Sequence, residues 1–171
     1  MSYKNEVKHK IEMALGTESQ NDVKTMAVIE NMYEKALEES KKTGQSIESI
    51  TYEILEGVEE GYASKPQKIE HILQNATTII AQVIHHSAQA KIQKQHKRVS
   101  LAHAVLLDTI EAEKAHLGES LEAFEHYAHD HGHHHFKKSL HLTEINILKK
   151  IHFLSNMLQY KTIIGDTHKG N

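Results

Sequence analysis

The chain of 171 residues has no cysteine and no tryptophan, one proline and eight glycines. Without cysteine there is no disulfide framework, no thiolate zinc site and no thiol nucleophile. So few turn-forming residues argue against the closely spaced reversals of a β-sandwich or barrel. Arginine is almost absent as well. Arg98 stands alone, so the bidentate reading of phosphates and base edges has hardly a donor. Lysine and arginine number 20 against 23 aspartates and glutamates, a net charge of −3. The one basic run, Lys91 to Arg98, carries no interleaved aromatic residue, and no nucleic-acid partner is expected. No stretch comes near the roughly 18 apolar residues that span a bilayer. Met1 to Lys10 is polar and leads into no long apolar core, so neither a secretory leader nor a transmembrane segment is expected. A cytoplasmic protein is the expectation.

What the chain does have is apolar residues at helical spacing almost throughout. Val7, Ile11 and Leu15 lie four apart in a short first helix that Gly16 ends. A second helix carries Met26, Met32, Tyr33, Ala36 and Leu37, and Gly44 closes it. Ser46 opens a third, with Ser49 in its first turn and Ile47, Ile50, Ile54, Val58 and Tyr62 along one stripe. Gly57 and Gly61 share that side and imply close contact with another helix. Ser64-Lys65-Pro66 marks the clearest boundary, and Pro66 suits the first turn of a new helix. From there Ile69, Ile72, Leu73, Ala76, Ile79, Ile80, Val83 and Ile84 form the strongest core stripe. Ser100 can cap a fifth helix, which passes Gly118, and a last helix is expected from Leu140 to about Ile163. No segment keeps a strand period. The spacing predicts an all-α protein of five or six amphipathic helices, some long, packed as antiparallel hairpins in a bundle. One domain over 1–171 is expected, with a sub-division at Ser64–Pro66 into a short-helix part (1–65) and a long-helix hairpin part (66–165), and a tail from 165 to 171.

The order Val23-Lys24 to Ala36-Leu37, Ser46-Ile47-Glu48-Ser49-Ile50, Ile54-Leu55-Glu56-Gly57-Val58-Glu59-Glu60-Gly61, then the alanine-containing helix Ile69 to Ala90, covers about residues 22–92. It resembles an uncharacterised proteobacterial family of long-helix proteins, known only as a domain of unknown function. The resemblance implies a helical fold and no activity. Long amphipathic helices without a cofactor motif are also similar to phasin-like or apolipoprotein-like surface binders, which implies a lipid, granule or protein partner.

Sixteen histidines are the outstanding compositional feature. Imidazole titrates near pH 6.5, so mild acid would reverse the sign of the net charge. Six of them lie within ten residues: His126, His129, His131, His133, His134 and His135. Glu122 precedes His126 by one helical turn, and Asp130 follows it by another. Gly132 marks a chain reversal, beyond which His141 and Glu144 start the returning helix and can join from across the hairpin. Imidazole with carboxylate and no thiolate suits Zn or Ni rather than Mg, Ca or an iron–sulfur cluster. The candidate metal ligands are therefore Glu122, His126, His129, Asp130, His131, His133, His134 and His135. Such a site is open, fit for buffering, delivery or sensing rather than catalysis. The alternative is a solvated hairpin tip with no specific metal site, on a scaffold or surface-binding module.

Glu113-Lys114-Ala115-His116 is half of the Glu-x-x-His pair that ferritin-like di-iron bundles require, and no clean second copy exists on another helix. There is no glycine-rich phosphate loop, no Gly-x-Ser-x-Gly and no His-Glu-x-x-His. A non-enzymatic protein, self-associating as a dimer through its long apolar stripes, is the expectation.

Overall fold

The computed structural model describes residues 2–16, 21–96 and 103–169. Among them lie six α-helices: α1 (Tyr3–Leu15), α2 (Asn21–Thr43), α3 (Ile47–Gly61), α4 (Ile69–His96), α5 (His103–Asp130) and α6 (His134–Lys169). A 3₁₀ turn, Pro66–Lys68, leads into α4. No strand occurs among the described residues, and the protein is an all-α helical bundle.

The helix starts follow local chemistry. Ser2 Oγ accepts from the Asn5 amide at the head of α1, and Ser46 Oγ accepts from the Ser49 amide at the head of α3. Each bond satisfies a donor that the first helical turn leaves without a carbonyl. Two glycines reverse the chain in the left-handed region, Gly44 at φ +73° after α2 and Gly132 at φ +65° after α5. A side chain would be strained there.

Packing joins the helices into one core. α1 lies on α3 and α2; α5 touches α3, α4 and α6; α2 and α6 both meet α4. Gly57 and Gly61 make the α1–α3 contact. A Cβ on Gly57 would lie 2.6 Å from the Lys4 carbonyl oxygen, and one on Gly61 would lie 2.7 Å from Ile11 Cγ2. A single cluster of buried side chains runs from Val7 and Ile11 through Ile54, Leu73, Ile80 and Phe124 to Phe136 and Ile147. Removing each large aliphatic or aromatic side chain from water contributes about 1.5–3 kcal/mol, which makes this cluster the dominant favourable term. Tyr33 and Tyr62 are fully buried but satisfied, by Thr51 at 2.9 Å and Thr25 at 3.0 Å.

Three details depart from the sequence expectation. α6 begins at His134, six residues before Leu140, because Phe136 and Leu140 are both buried and continue the register of Ile147. It also continues to Lys169, through the stretch expected to be a tail. Val23 and Met13, apolar residues of α2 and α1, are 65% and 63% exposed. α5 passes Gly118 without interruption, while Ser100 lies outside the described residues. No helix among the described residues is long and apolar enough to cross a membrane.

Candidate functional site

The histidine-rich reversal between α5 and α6 is built from a helix end. Gly132 turns the chain, and the His133 amide bonds back to the Ala128 carbonyl at 3.2 Å. This six-to-one bond is the Schellman termination, which satisfies a carbonyl that α5 would otherwise leave open. The His133 carbonyl then accepts from the Lys137 amide at 2.9 Å and starts α6. Phe124, Tyr127 and Ala128 face the core, which leaves Glu122, Glu125, His126, His129 and Asp130 on the outer side of α5.

The structure divides the candidate ligands into three groups. In the first, the side chains fasten the reversal to α3. His133 Nε2 is hydrogen-bonded to Glu59 Oε1, and His133 Nδ1 lies 3.6 Å from Glu70 Oε1. Tyr52 donates to Asp130 Oδ2 at 2.7 Å. Burial first, and then the bond to Asp130, push the Tyr52 phenol up to about 12. His131 stacks on Tyr127 with ring centroids 4.0 Å apart and an interplanar angle of 17°, and Tyr52 meets the same ring edge-on at 5.3 Å. Tyr127 is fully buried. Burial and the neighbouring Glu59 carboxylate raise its phenol strongly. Its hydroxyl meets no partner at hydrogen-bond geometry among the described residues. Asp130, His131 and His133 therefore already have work within the fold.

In the second group, side chains from both helices line one groove. Glu125, His126 and His129 of α5 face Lys137, Leu140, His141 and Glu144 of α6 across a depression of about 370 Å³. His126 Nδ1 lies 2.8 Å from Glu48 Oε1 on α3. A carboxylate only accepts, so Nδ1 carries a proton here, and in the neutral ring Nε2 then holds the lone pair. A carboxylate behind a histidine in this manner orients ligating imidazoles in metal sites. The third group, Glu122, His134 and His135, is exposed and lies outside this groove.

His141 and Glu144 thus share the groove with His126 and His129, an arrangement that the helical spacing on either side of Gly132 made readable. The docking partners Glu48, Glu59 and Glu70 were not readable in that way, since they lie on α3 and at the start of α4. Among the described residues, no three or more His, Asp or Glu side chains stand together as a set that could hold a metal ion. The Glu113–His116 half-motif closes on itself, with His116 Nδ1 3.5 Å from Glu113 Oε2 and Glu113 only 2% exposed.

No protein-family model matches this chain, and neither a curated protein nor a solved structure matches it.

Proposed function

We propose that this helical bundle is a non-enzymatic protein whose α5–α6 hairpin takes up a divalent transition metal, Zn or Ni, in its outer groove. The observation that carries the reading is that His126, His129, His141, Glu125 and Glu144 of two helices line one open depression, although they do not stand there as a preformed ligand set. Imidazole and carboxylate together suit these ions. His126, held by Glu48 on one nitrogen, offers the other in a fixed direction. The remaining ligands are exposed side chains that gather around the ion, with water completing the shell. Such a site exchanges metal readily, as buffering or delivery requires.

Calorimetry on tag-free protein tests this. Zn and Ni are expected to bind with a definite stoichiometry, and the combined His126→Ala, His129→Ala and His141→Ala variant should lose that binding. His134→Ala with His135→Ala should retain it. Binding no tighter than that of an unstructured histidine peptide, or equal binding by the triple variant, would sink the proposal.

A second reading rests on the outer side of α6, where Leu142 is 66% and Leu148 55% exposed. We propose self-association through this side. Sedimentation should show a concentration-dependent dimer that Leu142→Glu with Leu148→Glu abolishes, and a monomer at all concentrations contradicts it.

A further inference from the structure

A second cleft lies at a distance in sequence from the histidine-rich tip, between the middle of α4 and the middle of α6. We propose that it binds a small aromatic carboxylate. Its volume is about 430 Å³, within the range of ordinary ligand pockets of about 300–1,000 Å³. α4 contributes Thr78, Gln82 and His85 at one-turn intervals, and α6 contributes Asn146, Lys150 and Phe153 in the same manner, with Lys149 beside them.

The charge of this cleft sets it apart. Among the described residues that line it there are two lysines and no carboxylate. Several lysines elsewhere are matched by glutamates: Lys4 by Glu60, Lys35 by Glu6, Lys41 by Glu38 and Lys114 by Glu111. An unopposed pair of ammonium groups on a chain of net charge −3 favours an anion at this place. The side-chain amides of Gln82 and Asn146 supply directional donors for a carboxylate.

The apolar part of the cleft fits a ring. Phe153 is 46% exposed and meets His85 edge-on, with ring centroids 5.7 Å apart. Ala81 lies beside them. Aromatic rings favour such edge and offset arrangements with a further ring. His85 Nδ1 is buried and meets no hydrogen-bond partner among the described residues, although buried polar atoms are nearly always paired. Burial, then Lys150, then His86 hold the His85 imidazole below its ordinary range. A bound anion offsets the charges of Lys150 and His86, so by linkage it raises the His85 titration midpoint wherever that gain exceeds the added burial. The charged groups bearing on that ring are His86 on its own helix and Lys150 on α6, with Lys149 at the cleft wall.

The test uses the full chain, labelled for imidazole NMR, with benzoate as probe. Benzamide, benzylamine and inorganic phosphate serve as controls for charge and ring. Benzoate is expected to saturate, to move the His85 ring resonances and to raise the His85 midpoint. Benzamide, benzylamine and phosphate should each bind at least tenfold more weakly. Lys149→Glu with Lys150→Glu should cost at least tenfold in benzoate affinity while circular dichroism and the thermal melt stay as in the parent. Phe153→Ala should weaken benzoate and leave phosphate unchanged. Equal binding of benzoate and benzylamine, phosphate as strong as benzoate, or no loss in the double lysine variant would each overturn the proposal. So would an absence of saturable benzoate shifts at His85.

Discussion

At the scale of single residues, the reversal is held by charge-assisted pairs that reach across the chain. His133 is the most enclosed of the tip histidines that carry such a pair, with its side chain 18% exposed between Glu59 and Glu70. Truncation leaves two carboxylates facing a vacated space. His133→Ala is therefore expected to cost about 1–3 kcal/mol in urea denaturation, and His133→Gln, which can still donate to Glu59, should recover part of it. An unchanged midpoint for His133→Ala would show that the pair adds no stability. Tyr52 makes a second residue-scale prediction. Its phenol is pushed up to about 12, so the folded chain keeps a proton that the unfolded chain releases from about pH 10 upward. The folded state then binds more protons, and stability falls as pH rises from about 10 to about 12. Tyr52→Phe has no such proton to lose. The stability advantage of the parent over Tyr52→Phe should shrink between about pH 10 and about pH 12 in paired urea melts, and a constant difference would contradict the assignment.

Among the helices, the α1–α3 contact is the sharpest structural claim. At Gly57 a Cβ meets the Lys4 carbonyl at 2.6 Å, and at Gly61 it meets Ile11 at 2.7 Å. Backbone and a β-branched side chain cannot yield cheaply. Gly57→Ala and Gly61→Ala are each expected to destabilise by about 1–3 kcal/mol, even though alanine is the better helix former. Gly118, mid-helix in α5, has open space where its Cβ would be. Gly118→Ala should therefore stabilise by about 0.5–1 kcal/mol. Thermal melts of the three variants test the opposition in sign, and three shifts in one direction would refute it. The contact was legible in the four-residue spacing of the two glycines on the apolar side of α3. The start of α6 was hidden because His134 and His135 look like loop. Only Phe136, eleven residues before Ile147 and so on its face, betrays the extra turns. Leu148 illustrates the opposite error: it falls within the apolar pattern of α6 yet is 55% exposed, since an apolar residue on the outer side of a helix carries the same letter as one on the inner side.

Over the whole molecule, the six helices of the described residues were legible because each repeats apolar residues every three or four positions, and burial of those residues in one cluster decides the architecture. The tip was legible only in part. Histidine count located it, but composition does not say which imidazoles the fold consumes. Glu48, Glu59 and Glu70 stand 63 to 78 residues from their histidine partners, and no local pattern announces a pairing over that span. Docking to α3 and the start of α4 engages His133 through both ring nitrogens and packs His131 against Tyr127. It leaves His126, His129 and His141 lining the outer groove. Under the proposed function, zinc goes to this second set. Imidazole-resolved NMR during a Zn titration separates the two sets. The ring resonances of His126, His129 and His141 are expected to shift together and saturate, while those of His131 and His133 stay in place. Shifts that begin at His133, His134 and His135, or a uniform unsaturated drift of all sixteen histidines, would contradict it.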